Sequence, residues 1–273
     1  MVILRGPAPR IIALVAGAQR SSVPATRPGG LAGLTPSGRT VVPVGWSLYD
    51  FANTIFSFAV VSGAIGLYLN DRFGARDGAI YLAIAVAVSV GLNAIVSPIL
   101  GAISDRGGRR MPFLLFFTAV CIGATFFTAD VPALLGLVLF VVANFAYQAA
   151  LIYYDATLKT VSFPESRGRL SGIGTAIGYC GTVVVGLLIF LLDVPVADRF
   201  RLAALLYLAF AVPIFLVVRE PRAPGEPPLR AADVVASFGQ LRASIAHARS
   251  VPGLGRFLLG RFFYSDAVNT VIV

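Results

Sequence analysis

The side chains of this 273-residue chain that can do chemistry sit in a few short stretches. Asp50, Asn53 and Ser57 recur at i, i+3 and i+7, the spacing of one helix face. Asp266 and Asn269 repeat the first two, in a D-x-x-N-T-aliphatic string read at both 50–55 and 266–271. Asn144, Gln148 and Asp155 fall at i, i+4 and i+11. Between Ser97 and Arg110 the chain reads S-P-I-L-G-A-I-S-D-R-G-G-R-R, with four charges over the six residues from Asp105 to Arg110. Carboxylates and amides gathered on helix faces suit a pathway for a small polar solute, with a carboxylate taking up and releasing a coupling proton. Asp50 equally suits an N-cap or an arginine partner at the headgroups. Asp155 paired with Arg109 or Arg110 would hold one of two conformations of a switching protein. Left static at the surface, the same pair would be worth less than ~1 kcal/mol.

The elements that must position these groups are apolar runs. Residues 78–103 and 112–129 hold no charged side chain. Roughly 20 residues at 1.5 Å rise cross the ~30 Å of hydrocarbon in a bilayer, so each run is a candidate span and the charged turn between them closes a membrane hairpin. Six runs lie at about 44–69, 78–103, 112–129, 131–154, 170–192 and 202–218, and a seventh begins near 255. Only Ala129-Asp130-Val131-Pro132 joins the third and fourth, which are therefore expected as antiparallel neighbours. The chain is 57% hydrophobic, 13% charged, with mean hydropathy +0.84. Soluble domains carry about 25% charged residues, so an all-α membrane protein is expected.

Arginine and lysine placement sets the expected orientation. Five lie before residue 44, three in 104–111, three in 155–169 and seven in 219–261, against Arg72, Arg76, Arg199 and Arg201 on the other side. Basic residues stay on the cytoplasmic face, which predicts a cytoplasmic N-terminus in a plasma or inner membrane, or in a vacuolar membrane for a fungal chain. The organisation expected is a basic tail (1–43), a six-helix bundle (44–218), a cytoplasmic linker (219–253) and the start of a seventh helix (254–273). The tail suits a disordered extension, an early start codon or a targeting peptide. In the linker, Val234, Phe238, Leu241 and Ile245 at helical spacing suit a surface amphipathic helix or a solvated interdomain one. The repeat of Asp50 by Asp266, after six spans and a linker, suits two six-helix halves. The chain is then expected to be a fragment, or the product of a broken gene, covering one half and the opening of the next.

Other signals narrow the class. Ser89, Asn93, Ser97, Gly101 and Asp105 lie four apart on the second run, and Gly174, Gly178 and Gly181 share a face on the fifth. Such small-residue stripes are expected as packing seams. Cys121 and Cys180 fall inside apolar runs as packing residues, and His247 stands in a polar stretch. No metal or other cofactor is expected. The basic residues form no patch interleaved with aromatics, which argues against nucleic acid. No G-x-x-x-x-G-K-[ST], H-E-x-x-H or G-x-S-x-G string occurs, so neither a nucleotide-driven pump nor a membrane-embedded enzyme is favoured.

The turn G-A-I-S-D-R-G-G-R-R resembles the signature loop between helices 2 and 3 of the major facilitator superfamily. Gly101, Asp105, Arg106, Gly108, Arg109 and Arg110 match it position by position. The resemblance implies a cytoplasmic latch governing an outward–inward switch, with Asp155 as the acidic residue that ends helix 4 and joins it. W-S-L-Y-D-F-A-N-T, R-G-R-L-S-G-I-G-T-A-I-G-Y and F-F-Y-S-D-A-V-N-T look like the autophagy-related vacuolar amino-acid effluxers and their bacterial relatives. That implies a secondary transporter of a small polar solute, with amino acids as one class and a coupling ion as partner. The alternative expectation is a non-transporting fragment or assembly partner.

Overall fold

The structure is a computed structural model that describes residues 36–107, 110–220, 239, 253–257, 259, 260 and 263; the side chains of 36–40 and 102–107 are outside that description. Asp266, Asn269, Gly108, Arg109 and the 234–245 pattern therefore lie outside the described residues.

Among the described residues the fold is helical throughout, with six helices long and apolar enough to cross a membrane. The first span, Val41–Phe73, is compound. It begins as α1 (Pro36–Phe56), widens into a π-helix over Ser57–Ala64, and continues as α2 (Ile65–Phe73). A one-residue reversal at Gly74 leads into α3 (Ala75–Gly107). Gly74 has φ +81°, a left-handed conformation that a side chain would strain, and its N–H donates to the Asn70 carbonyl at 2.9 Å. Then follow α4 (Arg110–Phe127), α5 (Ala133–Val161), α6 (Arg167–Leu191) and α7 (Val196–Val217). Pro132 and Pro195, extended at the N-cap positions of α5 and α7, stop the preceding loops and open the helices.

The helices outrun the apolar runs at several ends. Asp71 and Arg72 are helical, and α3 continues to Gly107. The 33 residues of α3 extend about 50 Å at 1.5 Å each, more than the hydrocarbon needs. Charged residues at its two ends can reach the headgroups without breaking the helix. The sequence-predicted charged turn is thus shorter than expected, because Asp105 and Arg106 belong to the last turn of α3.

The first span is the hub. It packs against α6 and α7, and its α2 end against α3; α5 packs against α3 and α4, and α4 also meets α7. In their most apolar windows 56% of the first span is buried but only 11% of α3. The expected antiparallel pairing of the third and fourth spans is present as α4 against α5. Small residues allow the close approach that lipid-embedded packing depends on. Ala143, Ala146, Ala149 and Ala150 face inward on α5, as do Ala203, Ala204 and Ala211 on α7. Outward, Phe116, Val183, Phe190 and Leu216 are all at least 60% exposed, a surface suited to acyl chains and not to water.

Candidate functional site

Aromatic and hydroxyl groups anchor the first span at the end that carries Asp155 and Arg110. Trp46 stacks on Tyr154 with ring centroids 4.5 Å apart, and Tyr49 stacks on the same ring at 4.9 Å. The Trp46 indole N–H donates to Thr157 Oγ1 at 3.1 Å, and the Tyr154 hydroxyl donates to the Trp46 carbonyl at 3.2 Å. Deeper, the Tyr49 hydroxyl bonds Thr118 Oγ1 at 2.6 Å, and the Tyr207 hydroxyl donates to Asn53 Oδ1 at 2.8 Å. These buried bonds tie α1 to α4, α5 and α7 and fix its rotation about its own axis.

With that rotation fixed, Asp50, Thr54 and Ser57 turn toward a cleft of about 240 Å³. From the π-helical segment Phe58 and Ser62 complete its near wall. Tyr147 of α5 contributes one phenol. Thr175, Tyr179 and Thr182 of α6, themselves at i, i+4 and i+7, form the far wall. The π-helix lies against this cleft, in keeping with the frequent occurrence of such segments at functional sites. Asp50 is half-buried, and its carboxylate makes no hydrogen bond or ion pair among the described residues. Asp155 lies within Coulombic range of it, so the two carboxylates repel one another when both are ionised.

The glycine stripe on α6 sets the distance between the walls. A Cβ at Gly174 would stand 2.7 Å from the Trp46 ring, one at Gly181 2.9 Å from the Phe51 carbonyl, and one at Gly178 2.8 Å from Thr54 Oγ1 and 3.1 Å from Asp50 Oδ2. The stripe is thus a seam between α6 and α1, and at Gly178 it brings α6 onto Asp50 itself.

The other sequence-predicted residues are placed elsewhere. Asn53 does not join Asp50 and Ser57 in the cleft: only 2% exposed, it is turned into the core toward α7, its Nδ2 without a partner there. Asn144 donates to Ser89 Oγ at 2.7 Å, and Asn93 donates to Gln148 Oε1 at 3.3 Å. These rungs, four residues apart on each helix, join α3 and α5 running parallel, so Asn144 and Gln148 do not line the cleft. Gly101 lies on α3, where an added methyl would meet nothing within 4 Å. Asp155, at the same end of the bundle as Arg110, is exposed and forms no ion pair with it. Arg110 Nη1 instead donates to the Ala156 carbonyl at 3.0 Å. Arg109 and Gly108 lie outside the described residues, as do the Asp105 and Arg106 side chains.

Sequence reasoning missed three features. Thr175, Tyr179 and Thr182 were masked by the more conspicuous glycines beside them, although their own i, i+4, i+7 spacing is a legible polar face. Glu220, just past α7, accepts a hydrogen bond from the Met111 N–H at 3.0 Å and so places a carboxylate at the N-terminus of α4, next to Arg110. At the opposite end of the bundle, Arg201 bridges Asp130 and Asp198, tying the α4–α5 turn to α7.

The chain matches the Major Facilitator Superfamily description over residues 21–272. It is similar to the uncharacterized MFS-type transporter YxiO of Bacillus subtilis (strain 168), at 30% identity over 256 residues, which are 83% of this chain and 57% of that protein. The chain thus spans about half the length of the curated relative it matches. No solved structure matches it. Six spans of this composition, the first of which presents a carboxylate to a polar cleft, together with that match over most of the chain's length, place the chain in the major facilitator superfamily of multi-pass membrane transporters.

Proposed function

We propose that this chain supplies the first six-helix half of a secondary active transporter that moves a small polar solute by alternating access. The observation that carries the reading is the Asp50 cleft: an unpaired carboxylate inside a membrane span, facing a polar cavity, is costly unless it is used. In this reading Asp50 takes up and releases the coupling proton, with Asp266 as its counterpart in the second half. The ionisable groups around it are Asp155, Tyr147 and Tyr154 of α5 and Tyr179 of α6. Solute enters the same cleft, and amino acids are one candidate class through the likeness to the vacuolar effluxers and their bacterial relatives.

Orientation and switching belong to the same proposal. The N-terminus and the Asp105–Arg110 turn face the cytoplasm of a cell expressing the protein in its plasma or inner membrane. Gly101, Asp105, Arg106, Gly108, Arg109 and Arg110 form the latch, Asp155 joins it, and Arg110 and Glu220 connect the turn to α5 and to the end of α7. The basic segment before residue 44 is a cytoplasmic tail, and 219–253 is the linker between halves.

The test is flux in liposomes containing full-length protein, with and without an imposed pH gradient. Asp50→Asn is expected to abolish acceleration by the gradient, and Asp105→Asn to lower flux in both conditions at unchanged insertion. Gradient-driven flux that survives Asp50→Asn would remove the carboxylate from coupling.

A further inference from the structure

The hydrogen-bond direction of the cleft walls specifies what the cleft accepts. Thr54 Oγ1 donates its hydrogen to the Asp50 carbonyl at 3.0 Å. Ser62 Oγ donates to the Ser57 carbonyl at 3.2 Å, and Thr175 Oγ1 to the Ser171 carbonyl at 3.1 Å. A hydroxyl has one hydrogen to give, so these three oxygens present only lone pairs to the cavity. The ionised Asp50 carboxylate is likewise an acceptor only. Among the described residues, no lysine, arginine or histidine lines the cleft. The basic residues of the described spans are confined to the helix ends, at Arg72, Arg76, Arg110, Lys159, Arg167, Arg169, Arg199 and Arg201. Phe58, Tyr147 and Tyr179 add aromatic rings to the lining, a side-chain type that also attracts cations.

We infer that the cleft recognises the protonated amino group of a small organic amine, with Asp50 as the counter-ion and the Thr54, Ser62 and Thr175 oxygens accepting its N–H hydrogens. The inference rests on the reading of the cleft as part of the transport pathway and names the chemical class of the solute at that site. An ammonium group has three hydrogens to donate and no acceptor of its own, the complement of a carboxylate and of the three hydroxyls, Thr54, Ser62 and Thr175, whose hydrogens are already committed. A carboxylate or phosphate placed there would face Asp50 with no cation among the lining residues described to offset the repulsion. An uncharged polyol would leave the Asp50 charge unmatched.

The experiment is ligand-dependent thermal stabilisation of the full-length protein in lipid nanodiscs, with ethanolamine, putrescine, acetate and glycerol as probes at matched ionic strength. The two amines are expected to stabilise the protein saturably, and acetate and glycerol are not. Asp50→Asn is expected to weaken amine binding by at least about tenfold, as for removal of one member of a desolvated charge pair. Thr175→Val, at an exposed position where folding is unaffected, removes one acceptor and is expected to weaken it by about threefold. Acetate or glycerol binding as tightly as the amines overturns the inference. So does failure of both amines to bind, or amine binding indifferent to both substitutions. Flux measured in parallel separates the two claims. Saturable amine binding with no flux of any solute contradicts the transport reading and leaves the cleft's chemistry standing. Gradient-driven flux of an anion or polyol without amine binding does the reverse.

Discussion

Gly178 is the residue on which the cleft geometry turns. A methyl there meets Thr54 Oγ1 at 2.8 Å and Asp50 Oδ2 at 3.1 Å, so either α6 moves away or the carboxylate is pushed from its place. Gly178→Ala is expected to cost about 1–3 kcal/mol of thermal stability, the usual range for overpacking, and to lower flux by about tenfold. Gly172→Ala, with open space around it, is the control and should change neither. Melting curves and liposome flux on the same preparations check both. At this scale the sequence was only partly legible. Asp50 and Ser57 could be read from their spacing, but Asn53 was assigned to their face although it is turned about 60° to one side of Asp50, while Thr54 is only about 40° to the other. Helical spacing alone leaves that choice open. The structure decides it through the Asn53–Tyr207 bond, between partners 154 positions apart that no local pattern connects.

Between elements, the polar rungs joining α3 and α5 illustrate what membrane packing uses polarity for. Asn144 and Ser89 are both buried and bonded to one another. A double-mutant cycle of Asn144→Ala and Ser89→Ala in unfolding measurements is expected to give a coupling of about 0.6 kcal/mol, and no more than roughly 1.7. A coupling near zero would mean that the stripe packs without the bond contributing. The α6 glycine seam and the Ser89 and Asn93 rungs were readable as stripes, whereas farther along the α3 stripe Gly101 meets no neighbour and Ser97 bonds only its own helix. Helix ends were less readable, because hydropathy stops at Asp71 and Asp105 whereas the backbone carries on through both. The π-helix at Ser57–Ala64 left no mark in the sequence: S-F-A-V-V-S-G-A is compatible with an ordinary α-helix. Within it the Ser62 hydroxyl reaches the Ser57 carbonyl five residues back.

For the whole molecule, the six spans among the described residues and the α4–α5 pairing followed from long apolar runs and a four-residue connection, since lipid leaves the backbone few options but helices. The arrangement about a central first span did not, because every helix is apolar on most sides and hydropathy does not say which neighbour each side meets. Membership of the superfamily was legible in the charged turn, whose side chains from Asp105 to Arg109 lie outside the described residues. The central claim is that the Asp50 cleft opens by turns to the two faces of the membrane. Its most direct test is thiol labelling of Thr182→Cys in full-length protein whose exposed Cys180 and buried Cys121 have been replaced, in membrane vesicles of each sidedness. The account predicts that a small impermeant reagent modifies the Thr182→Cys thiol from either face, while a lipid-facing thiol introduced at Phe116 stays unmodified. Reaction from one face only, whatever gradient is imposed, would contradict it.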